Sequence, residues 1–214
     1  MSEPRNAAKT VDEMAPGLFH YRIQDDRIHH ASEGFALVEG GKAVLIDPLP
    51  IEEAALERLG AVEAIVIGSA SHQRSAWRYR TISRARVYAP LGAKGLDERA
   101  DVDYREGDRL PGGLRPILAR GPRAPHFALH LDRGPGVLFC TDLLMHEPDR
   151  GLVLLPDKYM DEPARGPESA RALLDLEFDA LCFGHGLPIT KGGRRALDEA
   201  LARHKGSQGP VRAA

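Results

Sequence analysis

Hydrophobic positions in the first half of the chain follow a strand period and then a helix period. After a polar N-terminal segment, residues 18–23 and 34–40 predict strands, and the Gly40-Gly41 pair before KAVLIDP predicts a hairpin into a third strand. Near-helical spacing of apolar residues predicts helices over residues 51–59 and 76–83. The run AIVIG between them is short and continuously apolar, which is typical of a strand buried on both faces.

The second half has the same kinds of pattern in a different order. Short apolar runs at VYAP and at residues 114–119, 127–131 and 137–140 predict strands separated by Gly/Pro-rich turns. Helices are predicted over residues 168–176 and 193–204, and DALCFGHG predicts a buried strand that ends in a glycine-flanked loop. Two β-rich halves, each with helices, predict an α+β sandwich with paired sheets.

Length and composition indicate one soluble globular domain. The chain has 214 residues, of which 43% are hydrophobic and 28% charged. We expect a disordered or extended leader over residues 1–15, a single domain over 16–205 and a flexible tail over 206–214. The formal net charge of -2 argues against nucleic-acid binding and against attraction to an anionic membrane. No apolar run is long enough for a signal peptide or a membrane span, which predicts a cytoplasmic protein.

The two cysteines do not predict a disulfide framework or a metal site. Cys140 and Cys182 lie in the apolar runs VLFC and ALCF, where a thiol usually packs as a small buried hydrophobic group. They also lack the close spacing of a Cys-x-x-Cys metal site. We therefore expect both thiols to be buried and unbonded.

Five segments, in their order, resemble a known family: GFALVEGGKAVLIDP, AIVIGSASHQRSA, VYAP, GVLFCTDLL and ALCFGHGLP. The chain is similar over roughly residues 16–201 to the metallo-β-lactamase superfamily, in particular to its small glyoxalase-II-like members. The resemblance implies a four-layer αββα sandwich with the active site along one edge of the two sheets. It also implies hydrolysis by one or two metal ions that activate a water molecule.

The metal-binding motif of the resembled family has largely been lost. Aligning its H-x-H-x-D-H motif after the strand AIVI places non-ligating residues at all four positions, namely Ser69, Ser71, Gln73 and Arg74. The third histidine of the family, in a G-H-x-x-G-like turn, corresponds to Pro122, which cannot coordinate a metal. Arg74 adds a permanent positive charge where a cation would bind. The alignment therefore predicts an eroded zinc site.

Two ligand positions and one supporting position are kept. Asp142 resembles the bridging aspartate, His185 the last histidine, and Asp47 an aspartate that orients the metal loop by hydrogen bonds. Asp142 and His185 are expected to be neighbours, either as a hydrogen-bonded pair without metal or as ligands. With His72, which reaches the site only after a one-residue register shift, they would form a two-histidine, one-carboxylate site for weak zinc or iron binding. His126, four residues after Pro122, is an alternative third ligand.

The preferred hypothesis is a pseudoenzyme without bound metal that binds a small molecule or a protein partner. The alternative is an atypical mononuclear metal-dependent hydrolase acting on a thioester, lactone or phosphate ester; a third possibility is a purely structural subunit. Two groups outside the motif are candidate ligand contacts, although solvated charges are the commoner interpretation. They are Arg115, Arg120 and Arg123 in one loop and Lys158, Tyr159 and Arg165 in another.

Overall fold

A computed structural model, which describes residues 3–207, places the first half of the chain in a seven-stranded sheet. The strands lie in chain order, antiparallel from β1 to β4 and parallel from β4 to β7. They are β1 (Asp12–Ala15), β2 (Leu18–Asp25), β3 (His30–Glu39), β4 (Lys42–Ile46), β5 (Ala61–Val66), β6 (Arg86–Pro90) and β7 (Val102–Tyr104). The hairpin predicted at Gly40-Gly41 joins β3 to β4.

The second half forms a four-stranded sheet in the order β13-β10-β9-β8. Its strands are β8 (Leu114–Leu118), β9 (Phe127–Leu131), β10 (Val137–Phe139) and β13 (Ala180–Cys182). A separate hairpin, β11 (Leu144–Glu147) and β12 (Gly151–Leu154), follows β10. Strands β10 and β13 are parallel neighbours, so their carboxyl ends lie at the same edge of this sheet.

Four helices cover the outer faces of the two sheets: α1 (Glu53–Glu57), α2 (Ala76–Ser83), α3 (Gly166–Ala172) and α4 (Gly193–Ser207). Alternation along β4 shows how the layers form. Ala43 and Leu45 pack in the cluster that contains α1 and α2 residues, whereas Val44 and Ile46 pack in the cluster between the sheets. A third cluster joins the second sheet to α3 and α4. The architecture is therefore the predicted αββα sandwich.

Several predicted boundaries differ from the structure. The helix predicted over residues 51–59 shrinks to α1, because Ile51 forms a β-bridge with Ala8 and its N–H donates to the Tyr79 hydroxyl. Strand β12 was not predicted, and it lies shortly before the loop that carries Lys158 and Tyr159. Cys140 and Cys182 are buried and unbonded, as expected.

The ends of the described chain bear on the predicted domain boundaries. The sheet begins at Asp12, inside the segment predicted as a leader, and α4 continues to Ser207, inside the predicted tail. Residues 208–214 of that tail lie outside the described residues. Over residues 3–207, no helix is both long and apolar enough to cross a membrane.

Candidate functional site

Four chain segments meet at one edge of the sandwich. Asp47 follows β4, the segment 68–75 follows β5, Asp142 follows β10 and His185 follows β13. Since β4 and β5 are parallel neighbours, as are β10 and β13, the carboxyl ends of each pair lie together. Both sheets therefore deliver polar residues to the same place, which we call the edge site: Asp47, His72, Arg74, Asp142 and His185.

His72 lies between two carboxylates at the centre of the edge site. Its ring Nδ1 is 2.8 Å from Asp47 Oδ2, and its Nε2 is 2.8 Å from Asp142 Oδ1. The ring is almost completely buried. Asp47 also accepts a hydrogen bond from the Gly68 N–H at 2.8 Å, so it fixes both the loop and the imidazole. A Cβ at Gly184 would lie 2.3 Å from His72 Cε1, so only glycine leaves room for this ring.

His185 completes a group of three metal-binding side chains with His72 and Asp142. One donor atom from each residue lies within 4.8 Å of the others. His185 Nε2 is 3.6 Å from Asp142 Oδ1, while its Nδ1 hydrogen-bonds the Ala31 carbonyl at 2.9 Å. Asp142 is therefore hydrogen-bonded to His72, and its contact with His185 is longer. The three weak metal candidates of the sequence do come together.

Arg74 is the cation of the edge site, and it is buried. Its Nη1 donates to the carbonyls of Glu33 and Asp47 at 2.8 and 3.2 Å, and its Nη2 donates to the Gly184 carbonyl at 3.3 Å. The same Nη2 is 3.3 Å from His72 Nε2. Arg74 thus hydrogen-bonds three segments and lies directly beside the imidazole that would have to bind a metal.

The other substituted motif positions have separate roles. Ser71 Oγ donates to Asp142 Oδ2 at 3.0 Å and lies 3.0 Å from Ser69 Oγ. Gln73 instead faces a neighbouring loop, where its Nε2 donates to the Gly95 carbonyl at 2.9 Å and its Oε1 accepts from the Asp97 N–H. Pro122 is buried. Only Ser71 and Arg74 of these positions make direct contacts with the carboxylate and histidine of the edge site.

His126 contacts the edge site through a hydrogen bond with the backbone of Asp142. Its Nδ1 donates to the Ala119 carbonyl at 3.0 Å, and its Nε2 accepts a hydrogen bond from the Asp142 N–H at 3.1 Å. Both ring nitrogens are therefore engaged with the backbone. His126 positions Asp142 and offers no nitrogen to the group formed by His72, Asp142 and His185.

The backbone at the edge site and at the residue before Asp142 is strained. Asp47, Arg74 and Thr141 all have positive φ, at 47°, 35° and 51°, although none is glycine. Such values are uncommon for residues with a Cβ, and for the β-branched Thr141 they are a clear outlier. Strained residues of this kind are found where the surrounding structure holds a functional arrangement in place. These outliers indicate that the surrounding structure holds the residues of the edge site in a fixed arrangement.

Burial and charge shift the pKa values of the edge site in opposite directions. Burial lowers the pKa of His185 and of His126 to about 4, so both are neutral near pH 7. Burial and Arg74 act to lower the pKa of His72 as well, but the adjacent Asp142 and Asp47 carboxylates outweigh them and raise it. Burial acts to raise the pKa of Asp142, but the charge of His72 and its hydrogen bond hold it well below its usual range.

The side chains of the edge site can be compared with the ligands that a zinc ion requires. Two histidines and a carboxylate are suitable ligands, and Asp47 and Ala31 orient the imidazoles as groups behind zinc ligands do. Arg74 opposes the ion, since its guanidinium stays charged and lies 3.3 Å from His72 Nε2. The Asp47 carboxylate already lies against the His72 ring, and the Asp142 carboxylate lies against the rings of His72 and His185. As arranged, these residues do not fit a bound zinc ion.

Sequence reasoning named all five residues of the edge site but did not predict most of the contacts between them. It placed His72 between two ligand positions, whereas the 3-10 turn Ala70–His72 brings the imidazole directly onto Asp142. It treated Arg74 as a local charge, whereas the guanidinium contacts carbonyls at Glu33 and Gly184, far away in sequence. No local signal could have shown those contacts, because they depend on how the two sheets pack.

Comparisons with known proteins agree with this architecture. A family model described as the metallo-β-lactamase superfamily matches residues 12–204. A search of the curated proteins finds no match. Similar solved structures include a metallo-β-lactamase family protein from Thermus thermophilus, with TM-score 0.69, 18% identity and coverage of 91% of this chain and 81% of that one.

Two further structures show the same fold at low identity. The metallo-β-lactamase from Erythrobacter litoralis has a TM-score of 0.69 and 14% identity and covers 92% of each chain. The DIM-1 metallo-β-lactamase has a TM-score of 0.69 and 14% identity, over 93% of this chain and 99% of that one. With the family model matching nearly the whole chain, the protein belongs to the metallo-β-lactamase superfamily.

Proposed function

We propose that this chain is a metal-independent member of the superfamily that acts by binding a small molecule and not by metal-dependent hydrolysis. The observation that carries the proposal is the position of Arg74, whose buried guanidinium lies 3.3 Å from His72 Nε2. A divalent cation on that nitrogen would face a fixed positive charge at short range in a poorly solvated site.

The hydrogen bonds of Arg74 support the same function. They run to the backbone carbonyls of Glu33, Asp47 and Gly184, so three chain segments hold the guanidinium beside His72. The edge site nevertheless keeps an opening to solvent. The side chains of Asp142 and His185 are each 15% exposed, and Ser71 is exposed beside them. A small molecule can therefore reach polar groups at this edge.

A second candidate function is the atypical mononuclear hydrolase acting on a thioester, lactone or phosphate ester. It is favoured by one observation, the convergence of His72, Asp142 and His185 donor atoms within 4.8 Å. This function requires the Arg74 guanidinium to withdraw from His72. The two candidates therefore differ in what they predict for metal binding.

Metal content separates the two functions. Protein purified without a chelator is expected to contain zinc and iron well below one ion per chain by elemental analysis, and added zinc is expected to leave the thermal midpoint unchanged. Near-stoichiometric metal, with stabilisation by added zinc, would overturn the metal-independent function and support the hydrolase.

An Arg74 variant tests the stated cause. Arg74→Met keeps side-chain length but removes the charge, and we expect its zinc affinity to rise about tenfold or more over that of the wild type. Arg78→Met, on the exposed face of α2, is the control and should not change zinc affinity. Unchanged affinity in a folded Arg74→Met protein would show that Arg74 does not exclude zinc. If Arg74→Met does not fold, the metal content of the wild type still separates the two functions.

A further inference from the structure

We propose that a cationic cleft beside the edge site binds a small organic anion that carries an apolar or aromatic group, such as an aryl phosphate. The inference deepens the proposed function, since it names the chemical class of the small molecule. The cleft has a volume of about 840 Å³ and is formed by three segments: the loop after β6, the residues just before β9, and residues 158–161. We call it the cationic cleft.

Positive charge dominates the lining of the cationic cleft. Lys94, Arg123 and Lys158 each come from a different segment, and Asp161 is the acidic residue among the lining residues. Asp161 Oδ2 already accepts a hydrogen bond from the Ala124 N–H at 3.0 Å. Three cations from separate loops line one cleft, and together they create a local positive potential that favours an anion, even though the whole chain has a net charge of -2.

The three cations differ from the other arginines in the same part of the chain. Arg115 lies 3.5 Å from an Asp132 carboxylate oxygen, and Arg165 lies 2.7 Å from one of Glu168. In the described part of the chain, Lys94, Arg123 and Lys158 form no salt bridge with a carboxylate. Their charge is therefore available to a ligand, and charge-assisted hydrogen bonds to phosphate or carboxylate oxygens are among the stronger polar contacts.

Apolar side chains in the same cleft indicate that the anion carries more than its charged group. Leu91 is 50% exposed and Tyr159 61% exposed, and Met160 lines the cleft beside them. The Lys158 ammonium lies 4.7 Å from the Tyr159 ring centroid, which places a cation and an aromatic face side by side. Ligand sites commonly combine an apolar wall with a few polar groups of this kind.

Two of the segments that form the cleft are tied to the edge site. Gln73, the residue after His72, donates to the Gly95 carbonyl, beside Lys94, and accepts a hydrogen bond from the Asp97 N–H. Pro125 lines the cleft and precedes His126, which accepts the hydrogen bond of the Asp142 N–H. The cleft is thus connected to the edge site through two neighbouring loops, although its lining contains none of the edge-site residues.

Calorimetric titration with phenyl phosphate tests the proposal, with phenol and inorganic phosphate as separate probes. We expect phenyl phosphate to bind more tightly than either probe, with an affinity that falls as salt is added. The double variant Arg123→Gln, Lys158→Gln should weaken binding at least about tenfold, because charge-assisted contacts are lost. Lys191→Gln removes an exposed lysine outside the cleft and should leave the affinity unchanged.

The outcomes distinguish this inference from the proposed function. No binding of phenyl phosphate, or equal weakening by the double variant and Lys191→Gln, would overturn the cleft as an anion site. Binding of inorganic phosphate as tight as that of phenyl phosphate would overturn the apolar part of the proposal. Near-stoichiometric zinc in the same protein would instead overturn the metal-independent function, because elemental analysis does not depend on the cleft.

Discussion

Asp25, at the end of β2, is a fully buried carboxylate that accepts most of its hydrogen bonds from one neighbouring arginine. Arg27 donates to it through its backbone N–H and its guanidinium, and the Ser32 hydroxyl donates at 3.2 Å. Burial acts to raise the pKa of Asp25, but the hydrogen bonds and charge of Arg27 outweigh it and lower the pKa. The ionised form is therefore favoured by folding.

This linkage predicts a pH-dependent loss of stability. A carboxyl group whose pKa is lower in the folded state contributes stability above its unfolded pKa of about 3.9, and that contribution is lost as the pH falls through the folded pKa. Asp25→Asn should reduce the free energy of unfolding at pH 7 by about 1 to 3 kcal/mol. The difference from wild type should shrink as the pH falls below about 4.

Urea unfolding over a pH series measures both quantities. Asp149→Asn, a change of an exposed aspartate in the turn between β11 and β12, is the matched control and should have little effect at any pH. A difference between Asp25→Asn and wild type that stays constant through the acidic range would show that the ionised carboxylate is not the stabilising form.

At the level of single residues, the sequence predicted which side chains matter better than how they are arranged. Asp47, Asp142 and His185 were identified by resemblance, and all three lie in the edge site. His72 was considered only after a register shift, because the motif spacing alone places it between ligand positions. The 3-10 turn that brings it to Asp142 follows Gly68, whose N–H donates a hydrogen bond to Asp47, 21 residues away in sequence.

The turn between β9 and β10 shows how one element fixes the position of another. Gly134 and Gly136 both have positive φ, at 59° and 78°. A Cβ at Gly134 would meet no atom within 4 Å, whereas one at Gly136 would lie 2.3 Å from the Glu177 carbonyl oxygen. The Gly136 carbonyl also accepts hydrogen bonds from the Asp179 and Ala180 N–H groups at the start of β13.

These two glycines form a matched pair for a test of the element. Gly134→Ala should cost about 1 to 2 kcal/mol of stability, because alanine is strained at positive φ. Gly136→Ala should cost at least about 3 kcal/mol, because the same strain is joined by a backbone clash that displaces the start of β13. Equal losses in denaturant unfolding would show that the close approach to Glu177 is relieved without cost.

Prediction of the elements succeeded where the hydrophobic pattern was long or continuous. Strand β9 and helix α2 lie at the predicted positions, because β9 is a continuous apolar run and α2 has near-helical spacing of apolar residues. Strands β1, β7, β11 and β12 were not predicted; all four are three or four residues long. Segments so short carry too few alternating positions to show a period, and they form because a neighbouring strand offers hydrogen bonds.

The whole molecule is held together by a core between the two sheets and by the edge site. The central cluster combines residues from both sheets, including Phe35 and Phe139, whose ring centroids are 5.4 Å apart. At the edge, His72 from the first half is hydrogen-bonded to Asp142 from the second. Because neither sheet can bury its inner face alone, we expect the two halves to unfold as one cooperative unit.

The single tryptophan allows this cooperativity to be tested. Trp77 is on α2, on the outer side of the first sheet, whereas Phe139 is on β10 in the second. Phe139→Ala should cost about 3 to 5 kcal/mol through the cavity it leaves between the sheets. Its effect should reach Trp77, so that the fluorescence and far-UV circular dichroism transitions shift together to lower denaturant concentration.

The control is Leu187→Ala, in the second half but 51% exposed, which should shift neither transition appreciably. A Trp77 fluorescence transition that stays at its wild-type midpoint in Phe139→Ala, while the circular dichroism signal splits into two steps, would contradict the single unit. The first sheet would then be stable without the second. The edge site, which draws His72 from one half and Asp142 from the other, would break before the first half unfolds.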